Sequence, residues 1–75
     1  NGASTLLSPM PGSVVTVDAG LDDTVQRGTP LLTIDSLGGR HVICAPFAAT
    51  ISEVLCESGS VVGQSEKLVK LMPIA

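Results

Sequence analysis

Aromatic residues are almost absent: Phe47 stands alone, with no tryptophan and no tyrosine. Basic residues are scarce, four lysines and arginines against seven aspartates and glutamates, for a net charge of −3. A nucleic-acid binder needs a basic face or aromatic platforms for bases, and neither is available. So few cations also exclude a membrane-surface helix, and no apolar run approaches the ~18 residues of a membrane span. The start, Asn1-Gly2-Ala3-Ser4, has neither a basic segment nor an apolar stretch behind it, so no secretory leader is expected. Helical periodicity is missing over any three turns. Cys44 and Cys56 are too few for a disulfide framework, and their spacing is neither that of a redox pair nor of a zinc knuckle. Reduced thiols are the expectation, which puts the chain in an intracellular, reducing compartment, cytoplasm or organelle matrix or stroma.

What remains is short and apolar. Seventy-five residues make one domain, expected to span 1–75, whether free or cut from a longer polypeptide. A chain of this size buries only about 60% of its unfolded surface, so its core depends on dense apolar residues. These are present: 44% of residues are hydrophobic and 15% charged, with a mean hydropathy of +0.47. They fall in short runs, Ser13–Ala19, Leu31–Ile34, His41–Cys44, Thr50–Cys56 and Leu68–Leu71, bounded by glycine, aspartate and serine. That pattern predicts an all-β barrel or sandwich.

A shift of 37 residues lays Ser8–Ile34 over Ala45–Leu71 without a gap. Pro9, Val17, Val25 and Leu31 meet the identical Pro46, Val54, Val62 and Leu68. Met10/Phe47, Val14/Ile51, Leu32/Val69 and Ile34/Leu71 keep their apolar character. Two similar β units, halves 8–34 and 45–71, are expected to share one core about a pseudo-twofold axis. The predicted core is Met10, Val14, Val17, Val25, Leu31 and Ile34 with Phe47, Ile51, Val54, Val62, Leu68 and Leu71. Residues 35–44 join the halves as a central hairpin. Leu37-Gly38-Gly39-Arg40 predicts a type I′ turn, whose two central residues need positive φ. By the same shift, the chain ends should meet at the opposite pole.

Catalytic alternatives are weak. His41 and Cys44 fall on opposite faces of a strand. Asp35, Ser36 and His41 approach one another only on an exposed tip, where nothing excludes water or forms an oxyanion hole. Asp18, Asp22 and Asp23 lack the spacing of a calcium loop. No catalytic residue and no metal site is expected, and the tip residues Leu37, Gly38, Gly39, Arg40 and His41 are the candidate contact surface.

Ser8-Pro9-Met10-Pro11-Gly12, followed by Val14, Val17, Val25, Gly28 and Leu31, resembles the first half of a biotinyl domain. Ala45-Pro46, with Ile51, Val54, Gly59, Val62 and Leu68, resembles the second. The resemblance covers roughly residues 7 to 72 and implies a flattened barrel, or barrel-sandwich hybrid, of two four-stranded sheets. Leu37 and the Pro-Met-Pro-Gly segment favour the biotinyl over the lipoyl branch, and the gap-free repeat leaves no room for an extra thumb loop. It also implies a lysine on the exposed hairpin that carries biotin as an amide. Counted back from Ala45-Pro46, that position is Gly38, and residues 1–66 hold no lysine. Arg40 is always protonated and is a poor acyl acceptor. Lys67 and Lys70 match Pro30 and Thr33 in the repeat, away from any hairpin tip. Asp22, Ala49 and Ser65 stand where the family usually has glycine, and a left-handed Ala49 would cost about 1 kcal/mol. The resemblance, with this departure, implies a non-catalytic carrier-like module without bound biotin. Its expected partners are a biotin carboxylase or the carrier subunits of a carboxylase complex, with no nucleic acid and no membrane. A true carrier with an atypical attachment site and the lipoyl-like hybrid of a membrane-fusion adaptor are the alternatives.

Overall fold

The computed structural model describes residues 4–74. Eight strands follow in order: β1 Ser4–Leu7, β2 Gly12–Val17, β3 Thr24–Val25, β4 Pro30–Ser36, β5 Gly39–Cys44, β6 Ala49–Val54, β7 Val61–Val62 and β8 Lys67–Pro73. They form two antiparallel sheets, β1-β8-β6-β3 and β5-β4-β2-β7. This is an all-β barrel-sandwich hybrid. Adding 37 to the residue numbers carries β2, β3 and β4 onto β6, β7 and β8, and one sheet order onto the other. The expected meeting of the chain ends falls on Asn1 and Ala75, outside the described residues.

Several expected boundaries move. β2 ends at Val17 rather than Ala19, because the N–H groups of Asp18 and Ala19 both turn to the Leu31 carbonyl, at 2.7 and 3.1 Å. β6 likewise stops at Val54, where the Leu55 N–H bonds the Leu68 carbonyl at 2.9 Å. Cys56 therefore lies beyond the strand that was expected to include it. The two-residue strands β3 and β7 are too short to show alternation in sequence, and β1 precedes the repeat.

The core holds Val14, Val25, Leu31, Ile34, Ile51, Val62, Leu68 and Leu71, all buried, as expected. Leu32 and Val69 join it, both at 0% exposure beside equally buried neighbours. Adjacent residues of a regular strand face opposite ways. Here the β4–β5 ladder steps from Pro30↔Cys44 to Leu32↔Ile43, and the β1–β8 ladder from Leu6↔Val69 to Leu7↔Lys67. Leu31 and Leu68 are the unpaired bulge residues, which lets both members of each pair turn inward. Met10, Val17, Phe47 and Val54 are only half-buried, which corrects their expected place in the core. Met10 and Phe47 sit in the loops entering β2 and β6, so each is covered on one side. Val17 and Val54 end their strands, and with Phe47 they pack against the core from its margin.

The turns repeat as faithfully as the strands. Asp23 accepts the Gly20 N–H at 2.8 Å, and Ser60 accepts the Glu57 N–H at 3.1 Å in the other half. Thr29 accepts the Gln26 N–H at 3.1 Å, and Glu66 accepts the Gly63 N–H at 3.0 Å. The residue types differ and the bond is the same, as expected of side chains that cap local turns. Left-handed positions also recur: Asp22 at φ 69° matches Gly59 at 95°, and Ser65 at 66° matches Gly28 at 88°. Ala49 is not among them, so the strain expected there does not arise; it is a fully buried strand residue. Serine lacks the tolerance of aspartate for this conformation. Ser65→Gly is expected to raise stability by about 1 kcal/mol, read from the urea midpoint, with Asp22→Gly nearer neutral.

Candidate functional site

The hairpin tip is built by the β4–β5 ladder. Ile34 pairs with His41, Asp35 with Arg40 and Ser36 with Gly39. This leaves Leu37-Gly38 as the two-residue loop, one position earlier than the expected Gly38-Gly39. Only Gly39 has positive φ, at 114°, so no type I′ turn forms. The ladder closes at Ser36↔Gly39, so Gly39 takes its positive φ as the first residue of β5 rather than inside the loop. The Ser36 hydroxyl ties the loop by donating to the Gly39 carbonyl at 3.2 Å.

Leu37 projects from the summit at 109% exposure. Gly38 follows it, and a Cβ there would find only the His41 Nε2, at 4.0 Å. Gly38, Gly39 and Arg40 are exposed and His41 half-exposed. Below the summit an open groove of ≈ 600 Å³ runs between Met10-Pro11-Gly12 and Asp35-Ser36-Leu37-Gly38. Sequence reasoning missed this groove. Its one signal is Gly12, where a Cβ would lie 2.6 Å from the Asp35 carbonyl oxygen, so only glycine lets β4 come this close to β2.

The other singled-out groups stand apart from a common reaction site. The Ser36 hydroxyl is engaged with Gly39 rather than with His41. Asp23 caps its own turn. Among the described residues no three acidic, histidine or cysteine side chains gather as a metal cluster. Lys70 lies in β8 with its ammonium 3.4 Å from Glu53, and Lys67 opens the same strand; neither is on a hairpin tip. Both cysteines are free thiols, Cys44 exposed and Cys56 half-buried. Burial pushes the Cys56 thiol up, and the Glu66 carboxylate adds to the shift. The folded state thus favours the protonated thiol. That stabilisation is complete below the ordinary thiol pKa and fades as pH rises through the raised value. Iodoacetamide at mildly alkaline pH should modify Cys44 well before Cys56, and unfolding should equalise them, as peptide mass mapping would read.

The family model for biotin-requiring enzymes of the biotin–lipoyl type matches residues 4–71. The chain belongs to the biotin–lipoyl domain family. This domain is 30% identical over 71 residues to the biotin carboxyl carrier protein of Streptococcus mutans, covering 95% of this chain and 55% of that protein. It is 35% identical over 69 residues to the human mitochondrial propionyl-CoA carboxylase alpha chain, covering 92% of this chain and 10% of the relative. The chain thus spans about half of the first relative and a tenth of the second. A single-chain, multi-domain long-chain acyl-CoA carboxylase superposes with a TM-score of 0.92 at 29% identity, over 97% of this chain and 7% of the larger one. The lipoyl domain of the 2-oxoglutarate dehydrogenase complex of Azotobacter vinelandii shares the fold, with a TM-score of 0.78 at 22% identity over 89% of this chain and 92% of that domain. These relatives are a biotin carboxyl carrier protein, two carboxylase chains and a lipoyl domain. An amide-linked prosthetic group needs a nucleophilic amine, and Leu37-Gly38 of this biotin–lipoyl domain presents none.

Proposed function

We propose that this domain is a non-catalytic, carrier-shaped module of a biotin-dependent carboxylase, which docks in the assembly without carrying biotin itself. One observation supports this above the others: the presenting hairpin is fully built, yet its summit is Leu37-Gly38 rather than an amine-bearing residue. Leu37, Gly38, Gly39, Arg40 and His41 form the contact surface, offering an apolar knob flanked by one cation. The partner is a biotin carboxylase or the carrier subunit beside it, in a reducing compartment where Cys44 and Cys56 stay thiols. Occupying a carrier's place regulates the complex by dilution, or scaffolds its assembly.

Incubation with biotin ligase, ATP and biotin, followed by intact mass, should give no adduct. A single adduct would make this a true carrier using Lys67 or Lys70. Pull-down against a biotin carboxylase and its carrier subunit should recover the domain, and its absence at tens of micromolar would remove the docking role.

A further inference from the structure

We propose that two copies of this chain pack through the outer face of the β4–β5 hairpin, about a twofold axis running along the strands midway between them. The inner side of this hairpin carries the buried Leu32 and Ile34. Alternation turns Thr33 and Asp35 of β4, and Arg40 and Val42 of β5, to the outside. The ladder sets Asp35 opposite Arg40 and Thr33 opposite Val42. A twofold axis between the strands exchanges the places of β4 and β5. Each Asp35 then lies over Arg40 of the second copy, and each Val42 over its Thr33. The face is its own complement in charge, as an isologous contact requires.

The pseudo-symmetric face of the other sheet shows what is special here. Lys70 stands where this face has Thr33, held 3.4 Å from Glu53, and Thr5 stands where it has Val42. Met72 stands where this face has Asp35, so the other sheet lacks the acid that the Asp35–Arg40 exchange uses. On the β4–β5 face Val42 is 55% exposed. Two short strands make a small contact, so the association belongs among weak, transient ones. This inference does not depend on the carboxylase reading. It uses the same hairpin, so a self-associated copy hides the surface offered to other partners.

Sedimentation velocity over a concentration series reaching the millimolar range tests it. The parent's mass should rise from 7.6 kDa toward twice that value. Val42→Lys places a charge in the middle of the face and should remain monomeric. Asp35→Lys and Arg40→Glu each set like charges across the axis and should be monomeric alone, whereas their equimolar mixture should associate as the parent does. Methyl spectra of each variant check the fold. A parent that stays monomeric throughout would overturn the proposal. So would a Val42→Lys variant that associates like the parent, or a mixture that associates no better than its components.

Discussion

Gly38→Lys should convert the domain from a chain that takes no biotin to one that takes a single biotinyl group in the presence of biotin ligase and ATP. The expectation is geometric. Gly38 does not have the left-handed φ that would penalise a side chain, and a Cβ there meets nothing nearer than the His41 Nε2 at 4.0 Å. The new side chain would leave the summit beside Leu37, and its ammonium would be fully solvated. Gly39 is left untouched, because at φ 114° any other residue would be strained. Intact mass reads the result as one adduct per chain against none for the parent. If Gly38→Lys stays unmodified while folding normally, the hairpin is not readable by the ligase, and its likeness to a carrier ends at the backbone. If the parent is modified equally, the attachment site lies elsewhere.

The second large effect concerns stability. Gly12→Ala adds one methyl group, and that methyl would sit 2.6 Å from the Asp35 carbonyl oxygen and 2.7 Å from the Ile34 Cγ2. Neither neighbour is the loose end of a flexible chain: one is backbone of a strand paired on both sides, the other a fully buried side chain. β4 must move away from β2, and overpacking of this kind costs about 3 kcal/mol. For a domain whose total stability is of order 5 kcal/mol, the urea midpoint should fall by more than half. Gly38→Ala, with open space around it, is the matched control and should leave the midpoint in place. A Gly12→Ala midpoint close to the parent's would mean that β2 and β4 are less closely apposed than described.

The fold was readable because the repeat was. Val14 and Ile51, Ile34 and Leu71, Leu31 and Leu68 kept phase in sequence because each pair occupies one site in two copies of the same unit. Departures came where geometry is not periodic. Leu32 and Val69 are inside because bulges at Leu31 and Leu68 reset the alternation, and one extra residue in a ladder leaves no mark on composition. Met10 and Phe47 matched each other correctly, yet they lie in loops at the margin, and apolar character alone does not report how many sides are covered. At the site, the resemblance located the hairpin, but the Gly-Gly pair misdirected the turn by one residue. The groove beside the tip was not legible, since in sequence Pro11 and Gly12 read only as a turn, and the close approach that requires Gly12 shows once β4 lies against the start of β2.

Each sheet takes its inner pair of strands from one half and an outer strand from the other: β8 and β6 lie between β1 and β3, and β4 and β2 lie between β5 and β7. The halves are therefore interlocked, and neither can detach without tearing both sheets. Melting should be all-or-none, with no half-folded intermediate. Refolding should be slow for so small a chain, because strands such as β1 and β8 must find each other across nearly the whole polypeptide before their contacts offset the entropy of closing that loop.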